Sequence, residues 1–159
     1  MAKTYELRAE QFLPISAQEA WSFFSAAENL AQITPPDMDF KILTDHDGTE
    51  IYEGMLIDYT VKPLFGIPVF WQTEISKLQK PAFFTDRQLR GPYKLWEHTH
   101  TFTPKPGGVL MEDVVRYQLP LGILGSIAHS LIVKRRLNQI FSYRKKILNK
   151  LFNKHGNLN

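Results

Sequence analysis

Lys94-Leu95-Trp96-Glu97-His98-Thr99-His100-Thr101-Phe102-Thr103 alternates without a break, Trp96, His98, His100 and Phe102 on one face and Leu95, Glu97, Thr99 and Thr101 on the other. A period of two is the signature of a strand. Turn chemistry follows at Pro104–Gly108, and the alternation resumes over Val109–Leu119, with Met111, Asp113, Val115 and Tyr117 opposed to Leu110, Glu112, Val114 and Arg116. Two alternating runs joined by a short Pro- and Gly-rich turn read as antiparallel neighbours.

Upstream the same pattern recurs. Phe40–Leu43, Ile51–Lys62, Val69–Leu78 and Phe83–Arg90 read as strands, separated by Asp45-His46-Asp47-Gly48, Pro63 to Pro68 and Lys80-Pro81, with Gly91-Pro92 before Lys94. Strands at this spacing without intervening helices predict an antiparallel meander. Tyr5–Leu13 adds a first strand ended by Pro14. Ser16 opens a helix, with Glu19 three residues on completing a capping box. A second short helix is expected over Ala27–Ile33, stopped at Thr34-Pro35-Pro36. After Pro120 and Gly125, Ile127, Leu131, Leu137, Ile140, Phe141, Ile147, Leu148, Leu151 and Phe152 recur mostly at helical steps. The expected class is α+β: a curved seven-stranded antiparallel sheet, two short helices after the first strand, and one long C-terminal helix covering the apolar side.

The 159 residues suit one domain, and 43% hydrophobic with 13% aromatic residues can fill one core. No cysteine is present, which excludes disulfide scaffolds, thiolate metal sites and cysteine nucleophiles. The first residues, Met1-Ala2-Lys3-Thr4-Tyr5-Glu6, hold no apolar stretch, so a cytoplasmic location is expected. Charge is divided: residues 1–113 carry every acid and sum to −6, whereas residues 114–159 carry 9 bases and no acid. A solvated lysine-rich helix face accounts for this, and an anionic surface is the alternative partner. Nucleic acid is not expected, since no binding motif accompanies the basic helix. Leu119–Val133 is too short to span a bilayer and is interrupted by His129, which leaves at most a peripheral contact.

The inward faces of the strands combine Met55, Ile57, Tyr59, Trp71, Phe84, Trp96, Phe102, Val115 and Tyr117 with Asp86, Gln88, His98, His100 and Asp113. Acids on such a face need partners, and the two histidines can supply them. Two readings stand: a mainly apolar pocket with a polar end for a carbonyl, hydroxyl or carboxylate, or a satisfied buried network. His98 with Asp86 or Asp113 is a candidate acid–base pair. A two-histidine, one-carboxylate metal site is conceivable on this face, but neither a metal nor a cofactor is expected. No glycine-rich phosphate loop and no nucleophile elbow occurs. Arg144 falls on the apolar stripe of the last helix; the expectation is that it snorkels outward along its own stem, the alternative being that it reaches inward to a carboxylate or an anionic ligand group. Strand parity places Pro63–Pro68, Gly91–Tyr93 and Pro120–Gly125 at one rim, two of them unusually apolar for loops.

Three segments, Glu28–Pro36, Gly91–Phe102 and Asp113–Tyr117 with Pro120-Leu121-Gly122, carry a resemblance to the SRPBCC superfamily (START-like, birch-pollen-allergen-like, polyketide-cyclase-like) over nearly the whole chain. The resemblance implies a helix-grip fold and a deep cavity for a lipid, a polyketide or another apolar molecule. It implies no single chemistry. The iron ligands of the oxygenase branch have no counterpart here, and the cell-division label given to some similar proteins follows from no residue of this chain. The expectation is a binder of a hydrophobic small molecule or lipid. A cyclase- or hydratase-type enzyme using His98, and a membrane- or protein-interaction module, are the alternatives.

Overall fold

The computed structural model describes residues 3–120 and 126–153. Seven strands form one antiparallel sheet in the order β1-β7-β6-β5-β4-β3-β2. They are β1 (Thr4–Leu13), β2 (Lys41–Ile42), β3 (Leu56–Val61), β4 (Val69–Gln79), β5 (Phe83–Arg90), β6 (Leu95–Lys105) and β7 (Gly108–Gln118). Two helices complete the fold, α1 (Ala17–Phe24) and α2 (Ser126–Phe152), with 3-10 turns at Ala27–Ala31 and Pro36–Met38. The arrangement is a helix-grip fold, with the curved sheet wrapped on α2.

The meander is sequential from β2 to β7, and β1 closes the far edge by pairing with β7 from Thr4↔Gln118 to Leu13↔Val109. The β4–β5 register shifts twice, between Gln72 and Thr73 and between Ile75 and Lys77. Such bulges bend the strand that carries them. Strand faces follow the alternation in the sequence, with Ile57, Trp71, Phe84, His98, His100, Met111, Asp113 and Val115 all buried on the inner side.

Ser16 caps α1 as expected: its hydroxyl accepts from the Glu19 N–H, and the Glu19 carboxylate accepts from the Ser16 N–H. Two elements are shorter than the sequence pattern predicts. Only Lys41–Ile42 of the expected Phe40–Leu43 strand pairs. The strand expected from Ile51 begins at Leu56, because Gly54 takes a φ of +90° that strand geometry does not admit. Ala27–Ala31 is a 3-10 turn rather than a regular helix, and the Thr34 hydroxyl closes it by donating to the Leu30 carbonyl.

The apolar interior is two clusters rather than one. The first joins Leu13, Trp21, Phe24, Phe84, Phe102 and Leu148 beneath α1 and the end of α2. The second joins Met38, Val61, Trp71, Val115, Leu137 and Ile140 nearer the start of α2. His98, His100, Asp86, Asp113 and Arg144 belong to neither cluster.

Candidate functional site

A cavity of about 150 Å³ lies between the sheet and α2. Its walls draw on both apolar clusters: Phe24, Ile57 and Phe84 from one, Val61, Trp71 and Ile140 from the other. Asp86, His98, His100 and Arg144 supply its polar end. A volume of this order holds a molecule the size of benzene.

Sequence alternation placed Ile57, Tyr59, Trp71, Phe84, Asp86, Trp96, His98 and His100 on this wall, and all eight line the cavity. Six other candidates do not. Met55 and Phe102 are packed in the first cluster, Val115 and Tyr117 in the second. The Gln88 carboxamide is occupied with the backbone of Tyr93, donating to its carbonyl and accepting from its N–H. Asp113 stands one layer back, holding the histidines that face the cavity. The sequence reading missed the opposite wall: Ala27 and Leu30 of the first 3-10 turn, Met38 of the second, and Leu137 and Phe141 of α2; Arg144 joins them by the inward reach that was its alternative reading. A helical stripe in a sequence does not say which of its members face a space and which face a side chain.

The acids are paired as the inward faces require. The His98 Nε2 donates to Asp113 Oδ1 at 2.7 Å, and the His100 Nε2 donates to Asp86 Oδ2 at 2.8 Å. A carboxylate only accepts, which fixes the proton on Nε2 of both rings. His100 Nδ1 lies 3.3 Å from Asp113 Oδ1 without hydrogen-bond geometry. A bare lone pair there would face an anion, so protonation of His100 relieves the contact. Burial lowers the His100 pKa, but the Asp113 and Asp86 carboxylates outweigh it and the net shift is upward. His98 moves down, through burial first and then the positive charge of His100 stacked 3.7 Å away, against which Asp113 is insufficient. Asp86 and Asp113 are pushed up by burial, yet the imidazoles outweigh it, lowering Asp86 and holding Asp113 well below the usual carboxylate range. The two shifts run in opposite directions, His100 toward its charged form and His98 toward its neutral form.

Arg144 does not snorkel outward. Its side chain is 11% exposed, its Nη1 lies 3.9 Å from Asp113 Oδ1, and its guanidinium carbon sits 5.0 Å above the Phe141 ring centre. The expectation failed because an acceptor stands behind the helix: Asp113, thirty-one residues earlier in the sequence, draws the guanidinium inward.

Asp86, His98 and His100 each offer one ligand atom within 4.8 Å of the others, close enough to share a divalent cation. A cation bound there would replace the proton held between His100 and Asp86 and would sit among groups that include the Arg144 guanidinium. No nucleophile–base pair of the hydrolase kind is assembled around the cavity among the described residues.

At the rim, Pro63, Leu64, Phe65 and Ile67 meet Pro92, Tyr93, Leu119 and Pro120 in a shallow groove, as strand parity predicts. Residues 121–125 of the third connection lie outside the described residues. Pro63 and Tyr93 border both this groove and the cavity. No helix among the described residues is long and apolar enough to cross a membrane.

No protein-family profile matches the chain, and no curated protein does. Solved structures do. A START superfamily protein of Mycobacterium smegmatis aligns at a TM-score of 0.66 and 17% identity, over 95% of this chain and 97% of that one. Protein Ms6760 of the same organism aligns at 0.69 and 16%, over 95% and 94%. Norcoclaurine synthase of Thalictrum, solved as a point mutant with a transition-state analogue, aligns at 0.64 and 16%, over 94% and 97%. At these identities the likeness is one of fold, and it is the fold that the resemblance to the SRPBCC superfamily implies.

Proposed function

We propose that this protein binds a small, mainly apolar molecule in the cavity between its sheet and α2, with the molecule's polar end toward Asp86, His98, His100 and Arg144. The observation that carries this is a space of about 150 Å³ between sheet and helix, walled mainly by aromatic and aliphatic side chains and ending in a polar group of four residues. Protein interiors are close-packed, and voids of this size are few in any domain. The volume favours a single ring or a short acyl chain over a large polyketide or a diacyl lipid. Entry is at the apolar rim bordered by Pro63 and Tyr93, which is also the part of the surface that would meet a membrane. The test is native mass spectrometry of the purified protein against its denatured mass, followed by titration with ethylbenzene read through the fluorescence of Trp71 and Trp96. A bound mass lost on denaturation, or saturable quenching, supports the reading. An apo mass together with no response to ethylbenzene up to its solubility overturns it.

A second reading rests on two imidazoles that face the cavity, each tied to a carboxylate. Their shifts run in opposite directions, His98 toward the neutral form of a base and His100 toward the charged form of an acid, with ring centres 3.7 Å apart. Such a pair suits proton transfer on a bound carbonyl compound, and the solved norcoclaurine synthase shares this fold. On this reading His98→Ala abolishes turnover of the bound compound while its affinity changes less than about threefold. Loss of affinity with no turnover in the parent protein leaves binding as the role.

A further inference from the structure

Asp86 on β5 and His98 on β6 stand directly opposite each other in the sheet, and His100 is the next residue on the same face of β6. Register and alternation thus bring one carboxylate and two imidazoles to one part of the cavity wall. Each offers one ligand atom within 4.8 Å of the other two. Around a tetrahedral ion bound at about 2.0–2.2 Å, ligand atoms stand roughly 3.4 Å apart, so a movement on the order of 1 Å closes the set. Both strands are paired on each side, which gives the three side chains a rigid base.

What stands behind the histidines separates a metal site from an ordinary polar network. A metal-ligating imidazole turns one nitrogen to the ion and donates the N–H of the other to a carboxylate or carbonyl. Asp113 is placed to receive both rings: its Oδ1 lies 2.7 Å from His98 Nε2 and 3.3 Å from His100 Nδ1. It is 2% exposed and does not line the cavity, whereas Asp86, His98 and His100 do. With Nε2 turned to Asp113, His98 keeps Nδ1 as its acceptor. His100 Nε2 lies 2.8 Å from Asp86 Oδ2, and its Nδ1 is buried without a hydrogen-bond partner. A cation on that Nε2 would leave the ring's proton on Nδ1, beside the Asp113 oxygen. Metal binding would therefore satisfy the imidazole nitrogen of this cluster that the present hydrogen bonds leave unpaired.

The donor set and the charges agree with this. Two nitrogens and one carboxylate suit zinc, iron(II) or cobalt(II), whereas calcium and magnesium take oxygen ligands. Asp86 and Asp113 face the single Arg144 guanidinium, 3.9 Å from Asp113 Oδ1, which leaves a net negative charge for a cation to offset. Alternation in the sequence gave no ground to expect a metal, because it shows the orientation of neither ring.

We infer that Asp86, His98 and His100 are ligands for a divalent transition metal of the zinc class, and that Asp113 positions both imidazoles from behind. Three protein ligands leave a coordination position open on the cavity side, where an oxygen of water or of a bound molecule can enter. The site stands whether or not the apolar reading of the cavity holds.

The test uses the full chain, stripped with a chelator, then titrated with Co2+ in the visible and with Zn2+ by calorimetry. The chain has five histidines, so the deciding protein is the triple variant His46→Ala, His129→Ala, His155→Ala, which keeps only His98 and His100. It should bind one equivalent of Zn2+ within about threefold of the parent's affinity. It should also show the strong visible bands of four- or five-coordinate Co2+, lost when Zn2+ is added. His98→Ala and Asp86→Asn should each abolish those bands. Asp113→Asn should weaken Zn2+ binding roughly ten- to a hundredfold and shift the bands of the Co2+ still bound, a change that lost stability alone does not make. The parent and the triple variant keep every cavity residue, so they decide even where a cavity variant fails to fold. Absence of the bands from the triple variant, or their survival in His98→Ala, would overturn the inference and assign the metal to surface histidines. Unchanged affinity and bands in Asp113→Asn would overturn the role given to Asp113. Metal binding without any response to ethylbenzene would support this site and drop the apolar reading, and the reverse result would do the opposite.

Discussion

Asp113 is 2% exposed and shares one oxygen among His98, His100 and Arg144 at 2.7, 3.3 and 3.9 Å. Removing its charge leaves two imidazoles and a guanidinium without the anion they share. Breaking a buried ion pair by deleting one partner costs about 3–5 kcal/mol, so Asp113→Asn should destabilise by that order at pH 7 in urea unfolding. The pH dependence follows from the shifts. The pKa values of Asp113 and Asp86 are depressed in the fold, so their contributions are complete above about 4 and fade as pH falls through the folded values. His100 is raised, so its contribution is complete below about 6.5 and is lost as pH climbs through the higher folded value. His98 is lowered, and below about 6.5 the unfolded chain gains a proton that the fold refuses, which costs stability. The two histidines therefore oppose each other near neutrality, and the carboxylates dominate in acid. The difference between parent and Asp113→Asn should shrink when unfolding is repeated below pH 4. An equal loss at both pH values would assign Asp113 a packing role instead.

At the level of elements, α2 and the sheet touch through Leu137 and Ile140 yet leave the cavity between them. Filling that gap tests whether it is empty in solution. Ile140→Phe adds volume toward the cavity, where there is room. It should change unfolding free energy by less than about 1 kcal/mol, whereas overpacking a full core costs about 1–3. The same substitution should weaken ethylbenzene binding at least tenfold. A loss of several kcal/mol would mean that the sheet and helix close on each other in water. The sequence made this pairing partly legible. Strict alternation in β6 and β7 identified the inward faces correctly, because one side of the sheet is buried and a one-residue slip would invert it. The strand edges near Ile51 were not legible, since Gly54 breaks an otherwise regular pattern by its φ alone. The inward turn of Arg144 was hidden for another reason. Helical spacing gives its stripe, but the acceptor that decides its direction belongs to β7.

For the whole molecule, the charge division of the sequence is not consumed by contacts within the fold. Arg136 and Arg144 are exceptions on α2, Arg136 donating to the Asp37 carboxylate and the Pro63 carbonyl and Arg144 facing Asp113. Lys134, Arg135, Lys145, Lys146 and Lys150 stand exposed along the same helix. Near the start of α2, Leu131 and Ile132 are exposed, and at the rim Phe65 and Ile67 are 74% and 59% exposed. A base near an anionic membrane surface is worth about 1 kcal/mol, and that attraction decays within a Debye length of about 8 Å at physiological salt. The five bases are spread over nearly half of the helix circumference and so stand at different heights above any one plane, and the attraction should be weak and reversible by salt. Co-sedimentation with vesicles of phosphatidylcholine containing one-third phosphatidylglycerol should therefore show binding at 20 mM salt that is lost by 300 mM. None should occur on phosphatidylcholine alone. Phe65→Ser should weaken binding further if the rim inserts, and Lys145→Glu with Lys146→Glu should weaken it if the middle of α2 lies on the surface. Absence of binding at 20 mM salt would make the basic face a solvated one and leave the rim as a door for the ligand alone. Binding that depends on Phe65 would instead join the two roles, because the groove that borders the cavity would then open against the phase in which small apolar molecules concentrate.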